Sequence, residues 1–298
     1  MIGVLTTFYG YKGKNLTEKV EDLIQVFESI NLQPFVQLLS SSEGEVFDKV
    51  VIRLKELRKK YGVEYSVHGS VWLPNPNFFL NLGSSDKKTS KKTISALKKS
   101  IDFAKNIKAR NVSFHGGYAA NLVFQQEEFQ PLEVKECIPY KEAYSNLRDN
   151  LKELLKYASE DIELSIENLN YRPEKRYLFS QPEDFKFLPK EVGILFDVGH
   201  VHYSQQKLKD LSYTRRMINK IGGRITEIHL SDNDGLEDEH RLPGMGSIPI
   251  LDIFQQISER QKLPAIIIEA FSGKNGYSEA DLKNSIKELV TLIKNEKY

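Results

Sequence analysis

A single cysteine, Cys137, is all the thiol chemistry that this 298-residue chain carries. That excludes a disulfide framework and any cysteine-built zinc site, so a metal would have to be held by His, Asp and Glu. The chain also lacks an excess of charge: 42 Lys and Arg face 41 Asp and Glu, a formal net charge of +1. Bulk positive charge is therefore not a means of gripping nucleic acid, although a local basic groove stays open. No apolar run approaches the roughly 18 residues of a transmembrane helix. The opening Met-Ile-Gly-Val-Leu-Thr-Thr has no basic region followed by an apolar stretch, so no signal peptide is expected either. These absences lead to the expectation of a cytoplasmic protein with no membrane association and no evident protein partner. Low-complexity segments and Gly/Ser linkers are missing too. About 150 residues per domain would suggest two domains, yet α/β barrels of about 250 residues commonly stand as one, and 1–298 is read here as a single domain.

What is present is alternation. Short runs rich in Val, Ile, Leu and Phe occur at Ile2–Leu5, Phe35–Leu39, Val63–Val67, Asn111–Phe114, Ile162–Ile166, Gly193–Phe196, Ile225–Ile228 and Ala265–Ile268, as strands buried on both faces require. Amphipathic patterns separate them. Asn15 precedes Glu18 as a cap signal, and Val20, Leu23, Ile24 and Phe27 then form one stripe. Val50, Val51, Leu54 and Leu57 form another, ended by Tyr61-Gly62. Further helices are expected at Ser90–Ile107, Tyr144–Tyr157, Leu208–Ile221, Leu251–Arg260 and Glu279–Asn295, with a weak one around Pro182–Phe187. Eight strand–helix units favour a closed α/β barrel, a single (β/α)8 TIM barrel, over an open doubly wound sheet. No Gly-x-Gly-x-x-Gly follows the first strand, which removes the best support for a dinucleotide fold.

In such a barrel, catalytic residues stand at the C-terminal ends of the strands. Six consecutive runs end there in a His, Asp or Glu: His68, His115, Glu167, Asp197 (with His200 close behind), His229 and Glu269. Asp238 and His240 follow in the loop after the seventh strand, leaving only His202 of the six histidines unplaced. One histidine at a strand end is ordinarily a hydrogen-bonded structural residue. Several carboxylates gathered at one mouth are different, because each unpaired buried charge costs several kcal/mol unless a cation compensates it. Oxygen and imidazole donors without thiolate suit zinc, manganese, iron or cobalt better than magnesium or calcium. Nine donors exceed the needs of one ion. They imply two or three ions, or one ion with several substrate-contacting residues.

The segments SVHGS, NVSFHGG, SIEN, FDVGH, EIHLSDNDG, DEH followed by LPGMG, and IIIEA resemble the endonuclease IV family within the xylose isomerase-like barrels. The resemblance spans Val63 to Phe271. It implies three zinc ions: one held by His68, His115 and Glu167, a second by Glu167, Asp197, His229 and Glu269, and a third by His200, Asp238 and His240. It also implies hydrolysis of the phosphodiester at abasic sites in damaged DNA, with Glu167 and Glu269 as catalytic residues beside a metal-activated water. Trp72 stands where that family fills the gap left by a missing base, and Arg172 where a phosphate contact is expected. The family's acidic residue between the glycines after the Asp-x-His pair is Met245 here.

The sugar and sugar-phosphate isomerases and epimerases of the same superfamily are the alternative. Their resemblance implies one manganese, magnesium or cobalt ion on Glu167, Asp197, His229 and Glu269, with the two glutamates as acid and base. The loop SSSEGEVFDK after the second strand is acidic where a DNA-penetrating arginine would be expected. The segment 116–140, GGYAANLVFQQEEFQPLEVKECIPY, reads as a lid over a small substrate or as an extra packing loop.

Overall fold

The computed structural model describes residues 1–10, 14–39, 45–70, 78–123 and 133–295. Eight parallel strands close a barrel: β1 (Ile2–Leu5), β2 (Phe35–Leu38), β3 (Glu64–His68), β4 (Asn111–His115), β7 (Glu163–Glu167), β8 (Gly193–Asp197), β9 (Ile225–Leu230) and β10 (Ala265–Ile268). Their order around the barrel is β1-β10-β9-β8-β7-β4-β3-β2. β5 (Ala120–Val123) and β6 (Glu133–Cys137) form a separate antiparallel pair. Outside run α1 (Leu16–Glu28), α2 (Phe47–Tyr61), α3 (Lys87–Ile107), α4 (Tyr140–Ala158), α5 (Val198–Leu208), α6 (Tyr213–Ile221), α7 (Ile250–Ser258), the short α8 (Ser272–Asn275) and α9 (Glu279–Asn295). Among the described residues no helix is long and apolar enough to cross a membrane.

The period-two pleat divides each strand between two environments. Val4, Val36, Val67, Phe114, Ile166, Phe196, Ile228 and Ile268 belong to the large apolar core that the helices cover. Leu5, Phe35, Ala265 and Ile267, of the opposite parity, form a small separate cluster in the lumen. Gly3 completes it, since a Cβ there would lie 2.8 Å from the Phe35 ring and 2.9 Å from Ile267. The same inward parity ends in His68, His115, Glu167, Asp197, His229 and Glu269. Register then levels them: His115 pairs with Glu167, and Asp197 with His229.

Local signals account for the helix ends. Asn15 and Glu18 form a reciprocal capping box at α1, and Gly62 ends α2 in the left-handed conformation at φ 66°. Two expectations differ. The helix expected over Leu208–Ile221 is interrupted at Lys209 (φ 53°), and α6 begins only at Tyr213. An unexpected helix, α5, starts directly after β8, where Asp197 caps it by accepting the backbone N–H of His200. Its residues from Val198 to Ser204 are all buried, so no polar face marks it in the sequence. The flanks of the 116–140 segment form the β5–β6 pair, while its tip, 124–132, and the stretch 40–44 of the acidic loop lie outside the described residues.

Gly117 seats the chain just beyond β4. Its φ is +102°, and a Cβ would come within 2.5 Å of Asn81 Oδ1 and 2.9 Å of the Asn81 and Leu82 backbone. Gly117→Ala should therefore destabilise the protein by about 1–3 kcal/mol. A lowered denaturant midpoint with an unchanged slope would show it, whereas an unshifted midpoint would refute it.

Candidate metal centre

The mouth of the lumen brings the strand-end donors together with the pair from the β9–α7 loop. His68 Nε2 and His115 Nε2 lie 3.2 and 3.1 Å from Glu167 Oε2. His229 Nδ1 lies 2.8 Å from Glu269 Oε2, 3.8 Å from Asp197 Oδ2 and 3.9 Å from Glu167 Oε1. Asp238 Oδ2 is 3.2 Å from His200 Nε2 and 3.5 Å from His240 Nε2. Three groups result: His68, His115 and Glu167; Glu167, Asp197, His229 and Glu269; and His200, Asp238 and His240. Within each, the donor atoms all lie within 4.8 Å of one another. Glu167 belongs to two of them.

These donors are close without being aimed at one another. Glu167 Oε2, Asp197 Oδ2, Glu269 Oε2, His229 Nδ1 and His240 Nδ1 are buried and make no directed hydrogen bond. Leaving such groups unsatisfied costs about 1–3 kcal/mol each, and more for charged ones. Two donors on one tetrahedral ion, each at about 2.1 Å, stand roughly 3.4 Å apart. Most of the spacings above bracket that figure, so the donor chemistry and the orphaned atoms fit a divalent cation.

Partners behind the donors set their direction. Ser113 donates its hydroxyl to the Val67 carbonyl, so its oxygen receives the His68 Nδ1–H at 3.0 Å and Nε2 is left facing Glu167. His200 Nδ1 donates to the Asn168 carbonyl at 2.9 Å. His229 Nε2 donates to Gln37 Oε1 at 2.6 Å. Asn168 grips the Asp197 backbone twice, donating to its carbonyl and accepting from its N–H. Such outer contacts fix tautomer and ring orientation.

The loop that carries Asp238 and His240 is anchored by Asp232. This buried carboxylate accepts the backbone N–H groups of Asn233, Gly244 and Ile248. His240 adopts φ 49° and stacks on Phe271 with ring centroids 4.3 Å apart. Asn275 donates to the carbonyls of Glu239 and His240, and Asn170 donates to Asp238 Oδ2 at 3.1 Å.

Burial opposes charge throughout the centre, and neighbours decide who keeps it. At Glu167, burial is outweighed by His115 and His68, which hold the carboxyl well below its usual range. At Glu269, burial is again outweighed, here by His229 and His240, and the carboxyl is held at about 2. Asp197 goes the other way: burial lifts it to about 7, and His200 does not offset this. Burial pushes His68 down to about 3. It is outweighed at His229 by Glu269 and at His240 by Asp238, so both imidazoles are raised to about 9.

All nine expected donors thus meet at one mouth. Trp72 lies outside the described residues. Arg172 belongs to none of the three groups; it pairs with Glu237 at 3.1 Å and lies over the Tyr203 ring at 4.7 Å. Gln37, Asn168, Asn170, Asp232 and Asn275 were not singled out from the sequence. Asn168 closes the SIEN motif and Asn170 follows it two residues on, so both offered a signal; Gln37 and Asn275 act through contacts distant in the chain.

A profile of the xylose isomerase-like TIM barrel matches residues 25–295. An uncharacterised protein of Methanocaldococcus jannaschii is 27% identical over 255 residues, covering 82% of this chain and 75% of the relative. Fructoselysine 3-epimerase of Shigella flexneri is 23% identical over 222 residues, covering 72% of this chain and 65% of that enzyme. Among solved structures, a D-tagatose 3-epimerase-like protein superposes with a TM-score of 0.73 at 24% identity, covering 99% of this chain and 98% of that one. The activities named among these relatives overturn the expected endonuclease IV-type hydrolysis of abasic-site DNA in favour of the sugar-epimerase alternative. The physical reason is visible at the rim. Among the described residues, Arg172 is engaged by Glu237, Arg241 by Asp234 and Glu239, and Arg176 by the Ala119 and Ile138 carbonyls, so these arginines form no row for tracking phosphates. With a matched profile spanning most of its length and a closed eight-stranded barrel, the chain belongs to the xylose isomerase-like TIM-barrel family.

Proposed function

We propose that the chain is a divalent-metal-dependent epimerase or isomerase of a small sugar, acting at the carbon beside a ketose carbonyl. The observation that carries this reading is the group Glu167, Asp197, His229 and Glu269, in which two ionised glutamates face one another across the mouth from β7 and β10. A divalent ion bound by those four residues supplies Lewis-acid polarisation of the sugar's carbonyl and neighbouring hydroxyl. One glutamate, acting as the ionised base, would withdraw the proton from the adjacent carbon; the other would first take up a proton from solvent and then deliver it to the opposite face, so that one proton is gained and one lost per turnover. Asp197, fully buried at the base, fixes the donor set without reaching the sugar. Zinc suits these donors, with manganese, iron, cobalt or magnesium as the alternatives. The flanking groups, His68 and His115 with Glu167, and His200 with Asp238 and His240, hold one or two further ions in this reading. Arg172, which stands outside the three donor groups, and Trp72, which lies outside the described residues, are its substrate contacts in this reading.

Three outcomes follow. In deuterated buffer, a ketose epimerised here should acquire deuterium at carbon 3, visible by NMR. Chelation should abolish the exchange, and Glu167→Gln or Glu269→Gln should slow it by about 10²–10⁴-fold. A fully metallated protein that labels no ketose would sink the activity.

Elemental analysis should find two or three ions per chain. One tightly held ion would confine the metal to the four-residue group.

Metal binding should also expel protons. His229 and His240, raised to about 9, hold protons at pH 7 that a cation must displace. Affinity should therefore rise with pH, and proton release should fade above about pH 9. Calorimetry in buffers of different ionisation enthalpy reads this directly; binding without proton release at pH 7 would contradict it.

A further inference from the structure

One buried side chain crosses the lumen behind the donors. Gln37 stands on β2 and His229 on β9, with β1 and β10 between them in the barrel order. Gln37 Oε1 accepts from His229 Nε2 at 2.6 Å, and Gln37 Nε2 donates to Glu227 Oε2 at 2.9 Å. Glu227 and His229 are two residues apart on one strand and therefore share its inner face. Gln37 and His229 are 0% exposed and Glu227 is 2% exposed, so bulk water cannot stand in for any of these contacts.

A glutamine amide can offer an imidazole either its oxygen or its NH2. Here the acceptor oxygen of Glu227 takes the NH2, which turns the amide oxygen toward His229. The imidazole must then carry its hydrogen on Nε2. Nδ1, the atom lying 2.8 Å from Glu269 and lacking a directed hydrogen bond, is then the nitrogen left to a cation once its proton is displaced.

We propose that Gln37 and Glu227 are positioning residues that select the His229 tautomer in which Nδ1 binds the metal. The proposal rests on the reading of His229 as a ligand and is independent of which sugar is turned over. Without Glu227 the amide is free to turn and offer its N–H to Nε2, which places the imidazole hydrogen on Nδ1 and blocks the lone pair. Without Gln37 the ring loses its only partner on the Nε2 side among the described residues.

The test uses zinc affinity, measured by competition with a chromophoric chelator, and the histidine tautomer, read from long-range nitrogen–proton NMR of the whole protein. The parent should show His229 with N–H at Nε2 and zinc on Nδ1. Gln37→Met and Glu227→Leu should each weaken zinc binding by about 10–100-fold and lose the pure Nε2–H signature. Glu227→Gln still presents an oxygen to the Gln37 amide and should keep both properties close to the parent. Parental affinity and tautomer in a folded Gln37→Met or Glu227→Leu protein would overturn the proposal. If neither folds, Glu227→Gln decides it, because loss of the Nε2–H signature there would show that an oxygen at this position is not sufficient. Sugar turnover enters none of these readouts, so a chain that passes them and epimerises no ketose would lose the proposed activity alone.

Discussion

A carboxylate taken out of water has to be met by positive charge or by hydrogen-bond donors, since the solvation it forfeits is worth several kcal/mol. Glu167, Asp197 and Glu269 are all taken out of water at one end of the lumen, 0–8% exposed. The protein's own answer is incomplete. Histidines surround the three carboxylates at ion-pair distances, yet the buried oxygens facing them receive no directed hydrogen bond. The geometry of the mouth is therefore organised around points between the side chains, and the residues behind it serve to keep the donors pointing there.

The barrel itself was legible because its physics is local. Each strand is a short run buried on both faces, and the polar residue that ends it breaks the run at the mouth. The parity of the pleat carries the rest: once Glu167 faces inward, so do Ser165 below it and, through register, His115 beside it. What escaped reading was non-local. The first two turns of α5 have no exposed face: the loop after β9 packs on them, with Asn233 donating to the Gly199 carbonyl and Ser247 lying 3.2 Å from His202 Nε2, so the sequence there has no 3.6-residue stripe. Gln37 looks like an interruption in Phe-Val-Gln-Leu-Leu until the strand on the far side of the lumen supplies Glu227 and His229.

The chemistry was the least legible part, and for a definite reason. The same carboxylates and imidazoles serve whether a metal polarises a phosphodiester or a carbonyl, so residue types read from the sequence leave a hydrolase and an epimerase both open. Arg172 and Arg241 are tied to acidic neighbours on the β9–α7 loop, where they brace the backbone that presents Asp238 and His240. Among the described residues these two arginines are therefore paired with carboxylates rather than offered to a phosphate.

Asp232 gives this mouth two kinds of wall. Five donors ride on strands, Glu269 follows β10 with its N–H held by the Leu230 carbonyl, and His200 rides on the first turn of α5. Asp238 and His240 ride on a loop held by side chains: three N–H bonds to the Asp232 carboxylate, two carbonyls bonded by Asn275, and the Phe271 ring stacked on His240. The strand-borne donors thus share the barrel's backbone ladder, and the loop-borne pair does not. One carboxylate, Asp232, therefore carries the placement of Asp238 and His240 without touching either, and the donors at the strand ends do not depend on it.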